Sequence, residues 1–493
     1  MTARWTAAVA FVGGVVGWGL YSYFVELSHG MISTGLRQIG GGGATWGLYL
    51  VFVVYVIGVS FAGVSTAALV RLFGIRSIEP LTRIAELLTI VAVTAGALSV
   101  LTELGRPLAG LKFLPQFARP ASPFFGTFTL VETGSLFASL VYFYLGSRAD
   151  AARCARSSTR LAWLYHVWAA GYRGTPAERV RHQRVSFWLS LFILPFLVIA
   201  HSTLGFVFGI QGGRPGWFSA LQAPGFVVLA GASGTGVLIM LAAAARRFLG
   251  LEETIRLEAF RLLGNFLWIL TLTYLYFMVV EEITATYAAS RADMHVAHEI
   301  VWGTYAPLFW TAVICFAAAT AILFLGFVTR RTSVAWTVVA ALLVNVGAIL
   351  KRFLIVVPSQ THGMLLPYPE GRYVPSAGEM SVALGLFAFP VLLYLLFAKV
   401  FPIVPLGETS AESVPPEAPA QPEPAALRIA AFWATLLTGL TLAMTGLLLS
   451  FRVGTVYYAD PVVPFSPLIF IVGVMMSFFS AAVYETIPPP RGR

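Results

Sequence analysis

Charge is what this sequence has least of. Asp, Glu, Lys and Arg together make up 11% of its 493 residues, against roughly a quarter in an ordinary globular domain. Apolar side chains fill 58%, more than a water-soluble chain of this length can hide beneath so little surface charge. A soluble enzyme, a nucleic-acid-binding domain and a disordered scaffold are thereby excluded. Cysteine is almost missing too. Cys154 and Cys315 form no Cys-x-x-Cys pair and fall far short of an iron–sulfur ligand set, so no cluster is expected in this chain. Haem b normally takes two histidines from facing helices, but His29, His295, His298 and His362 fall at helix ends or in loops, so no haem is expected. His295-x-x-His298-Glu299 resembles a metal-binding triplet, yet clusters this short arise by chance, and no metal site is expected. No glycine-rich phosphate loop and no Ser/His/Asp arrangement stands out. No small-x-small cleavage pattern follows the apolar stretch behind Met1-Thr-Ala-Arg4, which reads as a retained first helix.

What fills the sequence is a series of long apolar runs. About twenty apolar residues cross a bilayer as a helix, and windows of that length fall near 6–26, 46–70, 84–104, 123–146, 185–209 and 219–245. The second half gives 262–288, 305–328, 333–357, 379–401, 429–451 and 465–485. The expected fold is all-α, a polytopic membrane helix bundle of about twelve spans in contact with lipid. Lys and Arg divide 22 to 8 between the two sides, with Lys351 and Arg352 inside the ninth span. The positive-inside rule then places both termini in the cytoplasm and accounts for the net charge of +10 without nucleic acid. Residues 407–426 are rich in Pro and Glu and read as an extended linker. They divide a ten-helix core, 1–406, from a two-helix appendix, 427–493. The absence of an evident internal repeat disfavours transporters built from inverted repeats.

Ionisable residues at membrane depth are costly and mark function by default. They are Glu86, Glu132, His201, Glu281, Glu282, Lys351 and Arg352. An i, i+3 pair with Arg83 explains Glu86. Lys351 and Arg352 either anchor an intramembrane carboxylate or line a polar cavity. Glu281 and Glu282 point about 100° apart, and positions 274, 277, 281, 284 and 288 share one helical stripe. Two carboxylates near the non-cytoplasmic end of a span point to proton handling, with interfacial exposure as the alternative. His201, beside Ser202 and Thr203, is either a functional group or a hydrogen-bonded core histidine.

The chain also resembles the NrfD/PsrC-type integral membrane subunits of respiratory redox complexes, most of all the ten-helix branch with DsrP-like and HmeB-like proteins and alternative complex III. The marks run from Glu26-Leu-Ser-His-Gly30 and Trp46-Gly-Leu-Tyr49 through Leu104-Gly-Arg-Pro107 and Ser122-Pro123. The longest is His201-Ser-Thr-Leu-Gly-Phe-Val-Phe-Gly209, continued by Arg214-Pro-Gly-Trp217. Tyr274-Leu-Tyr-Phe277 with Glu281, Tyr305-Ala-Pro-Leu-Phe-Trp310, Arg352-Phe-Leu-Ile-Val-Val-Pro358 and Ala398-Lys-Val-Phe-Pro402 complete the set. The resemblance implies a membrane component of a bacterial or archaeal cytoplasmic (inner) membrane complex that exchanges electrons with menaquinone or ubiquinone. It implies a docked ferredoxin-like iron–sulfur subunit, with a molybdopterin enzyme or a cytochrome c beyond it. His201, Tyr274, Glu281, Trp217 and Arg352 are the expected quinone contacts, and His201, Glu281, Glu282 and Glu132 the expected proton-handling groups. The outer loops 105–122, 289–304 and 358–378 are the expected docking surface. The sequence departs from the branch at Thr127 and Lys351, where acids are common, and at Phe218, where histidine is common. The competing readings are a twelve-span secondary transporter and a membrane anchor without chemistry.

Overall fold

The computed structural model describes residues 3–117, 129–157, 160–287, 289–363, 368–406, 426–451 and 463–487. Among them there are helices and loops but no strand. In chain order the helices are α1 (Ala3–His29), α2 (Leu48–Phe73), α3 (Thr82–Glu103), α4 (Pro107–Phe117), α5 (Thr129–Ser157) and α6 (Ala162–Ala169). There follow α7 (Pro176–Gly209), α8 (Gln222–Phe248), α9 (Leu257–Tyr287), α10 (Arg291–Val301) and α11 (Ala306–Thr329). The last are α12 (Val334–Val356), α13 (Pro358–Thr361), α14 (Ala377–Val400), α15 (Ala426–Phe451) and α16 (Ser466–Thr486). Helices dominate because a chain in lipid must satisfy its backbone polar groups within each segment.

Among the described residues, eleven helical segments are long and apolar enough to cross a membrane. They coincide with eleven of the twelve windows read from the sequence, so the protein is a polytopic membrane protein. The remaining window, 123–146, begins outside the described residues. Its described part lies in α5, whose first two turns carry Thr129, Glu132, Thr133 and Ser135. Those polar groups dilute its apolarity, and α5 is not among the eleven.

The helices form two compact units. The first takes residues 1–66, 76–112 and 197–397, the second 67–75, 113–196 and 398–493. In the first unit α12 packs on α8 and α11, and α9 packs on both α8 and α11. Small residues let these backbones approach, as they do in membrane bundles generally. A Cβ added to Gly234 would lie 2.6 Å from the Val59 carbonyl oxygen, so that crossing is open to glycine alone.

In the second unit α15 and α16 form a close antiparallel pair, and α16 also packs on α5. Glu485 of α16 meets Arg148 of α5 at 2.9 Å, with both side chains almost fully buried. The linker read at 407–426 lies outside the described residues except for Ala426. The C-terminal helices share one compact unit with 113–196, where the buried Arg148 guanidinium takes its counter-charge from Glu485 near the far end of the chain.

Candidate functional site

A cleft opens in the first unit where the N-terminal turn of α8 faces the later turns of α9 and the end of α12. Its polar walls are Gln222, Tyr274 and Glu281, and its apolar walls include Phe226, Met278 and Ile355. Helical spacing explains the α9 contribution. Tyr274, Phe277, Met278 and Glu281 stand at i, i+3, i+4 and i+7, so they stack on one face. The cavity volume is about 20 Å³, room for an ordered water and not for an aromatic ring.

Glu281 reaches from the cleft to Lys351, whose Nζ lies 2.6 Å from its Oε2. The lysine side chain is 4% exposed and the glutamate 27%, so the carboxylate is the member of the pair that solvent or a ligand can meet. Of the two roles read for Lys351, anchoring an intramembrane carboxylate is the one the geometry displays. Glu282, one residue on, turns to a different face, as the 100° step demands. Its Oε2 is buried and has no hydrogen-bond partner among the described residues.

Arg352 lies behind the Phe226 wall. Its guanidinium carbon sits 3.9 Å from the Phe226 ring centroid, a cation–π contact, and Nη2 donates to the Phe226 carbonyl at 3.4 Å. Nη1 is buried without a hydrogen-bond partner. Trp217 donates its indole N–H to the Ile355 carbonyl at 2.6 Å and stacks on Trp46 with centroids 5.5 Å apart. It holds the end of α12 in place from outside the cleft.

His201 does not line the cleft. It is 1% exposed, with Nδ1 2.8 Å from the Leu197 carbonyl oxygen and Nε2 2.9 Å from that of Ile57. Its ring meets Phe61 edge to face. A neutral imidazole carries one N–H and can donate to only one of these carbonyls. The cleft thus brings Tyr274 and Glu281 together without His201, whose ring nitrogens both face the backbone of α7 and α2. Glu132 belongs to the second unit, where it is buried and its Oε1 has no partner among the described residues. Thr127 lies outside the described residues. Gln222 escaped the sequence reading. Its position directly before Ala223-Pro224, the start of a long apolar run, is the signal that would have found it.

Among the described residues no three His, Cys, Asp or Glu side chains are placed to share an ion. His295 instead meets Glu370 at 2.7 Å, and Glu299 accepts the Thr304 backbone N–H at 2.9 Å. That N–H holds the Glu299 carboxyl below its usual range, while burial pushes the His362 imidazole below its own. Both folded values are depressed, so both contributions to stability are present above the unfolded values and fade as pH falls. His362 loses its share below about 6.5 and Glu299 below about 4.3. Amide exchange at Thr304 and Tyr305, corrected for intrinsic rates, should accelerate in two stages on acidification. Protection that rises instead would refute the assignment.

A sequence model of the family described as "Polysulphide reductase, NrfD" matches residues 40–362, well over half of the chain. The chain is 27% identical over 414 residues to a putative dimethyl sulfoxide reductase membrane subunit of Halobacterium salinarum, a match covering 79% of this chain and 89% of that protein. It is 23% identical over 412 residues to a selenate reductase subunit of Mesobacillus selenatarsenatis, covering 78% and 91%.

Proposed function

This chain belongs to the polysulphide reductase NrfD family, and from that membership we propose that it is the quinone-reactive membrane component of a multi-subunit reductase. It exchanges electrons between membrane quinone and a docked iron–sulfur subunit, in a bacterial or archaeal cytoplasmic membrane. One relative is named as a membrane subunit of a dimethyl sulfoxide reductase and another as a subunit of a selenate reductase, which supports a molybdenum-type catalytic partner over a cytochrome. Both termini and the Arg-rich stretch 147–184 face the cytoplasm in this reading. The docking surface is the opposite set of loops, 105–122, 289–304 and 358–378, of which 118–122 and 364–367 lie outside the described residues. Trp302 and Val374, both well exposed, give that surface the aromatic and apolar character that suits burial under a partner.

The observation that carries the proposal is the cleft with Glu281, held by Lys351, on its wall. A quinone head group is a flat apolar ring with two polar oxygens. Gln222 and Tyr274 offer donors for those oxygens, and Phe226, Met278 and Ile355 offer apolar contact. Met278 is unbranched and adaptable, so it is the wall that gives way when a ring replaces water. A two-electron quinone step moves two protons, and an apolar pocket needs a titratable group to pass them. Glu281 is that group. Lys351 holds it in position and supplies a positive charge beside any anion that forms.

A photoreactive quinone tests this directly in the complex purified in mild detergent with its partner. Labelled peptides from 222–226 and 274–281 are the expected result. A complex that keeps its partner but is labelled elsewhere, or retains no quinone, would instead be held by an anchor without chemistry.

A further inference from the structure

A second polar centre lies in the first unit, among the loop-facing ends of α1, α2, α3 and α14. Glu26 at the end of α1 accepts the Tyr49 hydroxyl on both carboxylate oxygens, at 2.6 and 2.7 Å. Glu379 in the first turn of α14 accepts three donors: the backbone N–H of Gly35 at 2.7 Å, that of Ser376 at 2.8 Å and the Tyr373 hydroxyl at 2.7 Å. The Ser376–Glu379 exchange is a capping box, completed by the Glu379 N–H donating to Ser376 Oγ at 3.2 Å. Gly35 must be glycine for this geometry, since a Cβ there would lie 2.3 Å from the Val374 carbonyl oxygen. Both carboxylates, buried at 4% and 0% exposure, are thus met by donors that suit an anion.

Glu103, the last residue of α3, is different. It is 6% exposed, and neither carboxylate oxygen has a hydrogen-bond partner among the described residues. It is turned towards the Leu50 backbone N–H in the first turn of α2 without closing a bond to it. Its electrostatic neighbours are Glu379, Arg37, Glu26 and Tyr373, and Tyr23 stands beside Glu26. Three carboxylates therefore share this centre, and the guanidinium beside Glu103 is that of the exposed Arg37. A helix C-terminus adds partial negative charge of its own. An isolated buried carboxylate in such a place is costly unless a donor, a metal or a proton answers it. Among the described residues no donor closes a hydrogen bond to it, and no group of three acidic or histidine side chains is close enough to share a metal ion.

We infer that Glu103, faced by Glu26 and Glu379, is a proton-binding site separate from the cleft. Protonation forms one O–H bond on Glu103, takes one proton from water on the loop side and moves no electron. The neutral carboxyl then becomes a donor towards acceptor-only neighbours, and release of the proton restores the repulsion that expels it. The site thereby stores and returns a proton at the membrane edge of the bundle. Glu103 lies within residues 40–362, the part that the family model matches, and Glu26 and Glu379 lie outside it. The centre stands independently of the quinone reading, because its test needs no redox chemistry.

The test is infrared difference spectroscopy of the full-length protein in detergent across a pH titration, without quinone. The wild type should show a buried carboxyl C=O band that bleaches on alkalinisation. Glu103→Gln should lose it, and Glu281→Gln should keep it. Glu103→Asp, which retains a carboxyl, should show the band at a shifted frequency, which serves if the Gln variant fails to fold. A band that survives in Glu103→Gln, or is unshifted in Glu103→Asp, overturns the inference. So does a band that appears or vanishes when sodium replaces choline at fixed pH, since the site would then belong to a metal cation.

Discussion

Glu281→Gln is expected to slow quinone-linked electron transfer by about 10²-fold or more, the usual cost of losing an acid–base group. The amide keeps the volume and can still accept a hydrogen bond from Lys351, but it cannot carry a proton. Removing the carboxylate also strips Lys351 of the counter-charge 2.6 Å away, so loss of assembly must be separated from loss of chemistry. Lys351→Met alone should leave a carboxylate that is more than a quarter exposed on the cleft side, with partial turnover and a displaced pH profile. The double variant removes both charges and should restore assembly, because breaking a buried pair costs more than replacing both members. It should not restore turnover. A Glu281→Gln complex that assembles and turns over at the wild-type rate from about pH 5 to 9 ends the proposed role. Glu282, with its unpartnered buried oxygen, becomes the next candidate.

The membrane spans were legible because one physical quantity decides them, the length of an apolar run against the thickness of hydrocarbon. α5 shows the limit of that reading, since the polar residues of its first turns dilute the same signal. The α9 face of the site was legible for a similar reason. Tyr274, Phe277 and Glu281 recur at helical spacing, and periodicity fixes which residues stand together without any tertiary information.

Lys351 marks where local reading stops. Its depth in the ninth span identified it as unusual, but its partner lies 70 residues away, and no pattern on α12 points there. His201 shows the converse. Burial and polarity were read correctly, yet the ring nitrogens go to two backbone carbonyls, which no side-chain pattern encodes. Glu26 stands out in the sequence only as part of a motif, and Glu103 and Glu379 not at all, because each lies near a helix end, where a polar residue is ordinary. Only the folded chain brings them to one place.

The largest effect on stability should come from the pair that joins the two ends of the second unit. Arg148 donates Nη1 to Glu485 at 2.9 Å, Nε to the Ala169 carbonyl at 3.2 Å and Nη2 to the Ala170 carbonyl at 3.2 Å. His182 Nδ1 lies 3.1 Å from the same Glu485 oxygen. The guanidinium thus closes the end of α6 and clamps α16 to α5. Its own exposure is 3% and that of the Glu485 side chain 2%, so neither charge can turn to water if the other is removed. Glu485→Gln should lower the stability of this unit by about 3–5 kcal/mol, the cost of stranding one buried charge. Arg148→Met combined with Glu485→Leu should recover most of it, since apolar replacement of a buried pair is often close to neutral. Truncation after Leu406 removes α15 and α16 outright and should be at least as damaging as Glu485→Gln, although the cleft residues all belong to the other unit. Thermal unfolding of the full chain in detergent, beside limited proteolysis of 129–196, measures all three. If Glu485→Gln unfolds with the wild type while the truncated chain keeps 129–196 protected, the C-terminal pair is a detachable appendix after all, and the linker at 407–426 marks the true boundary.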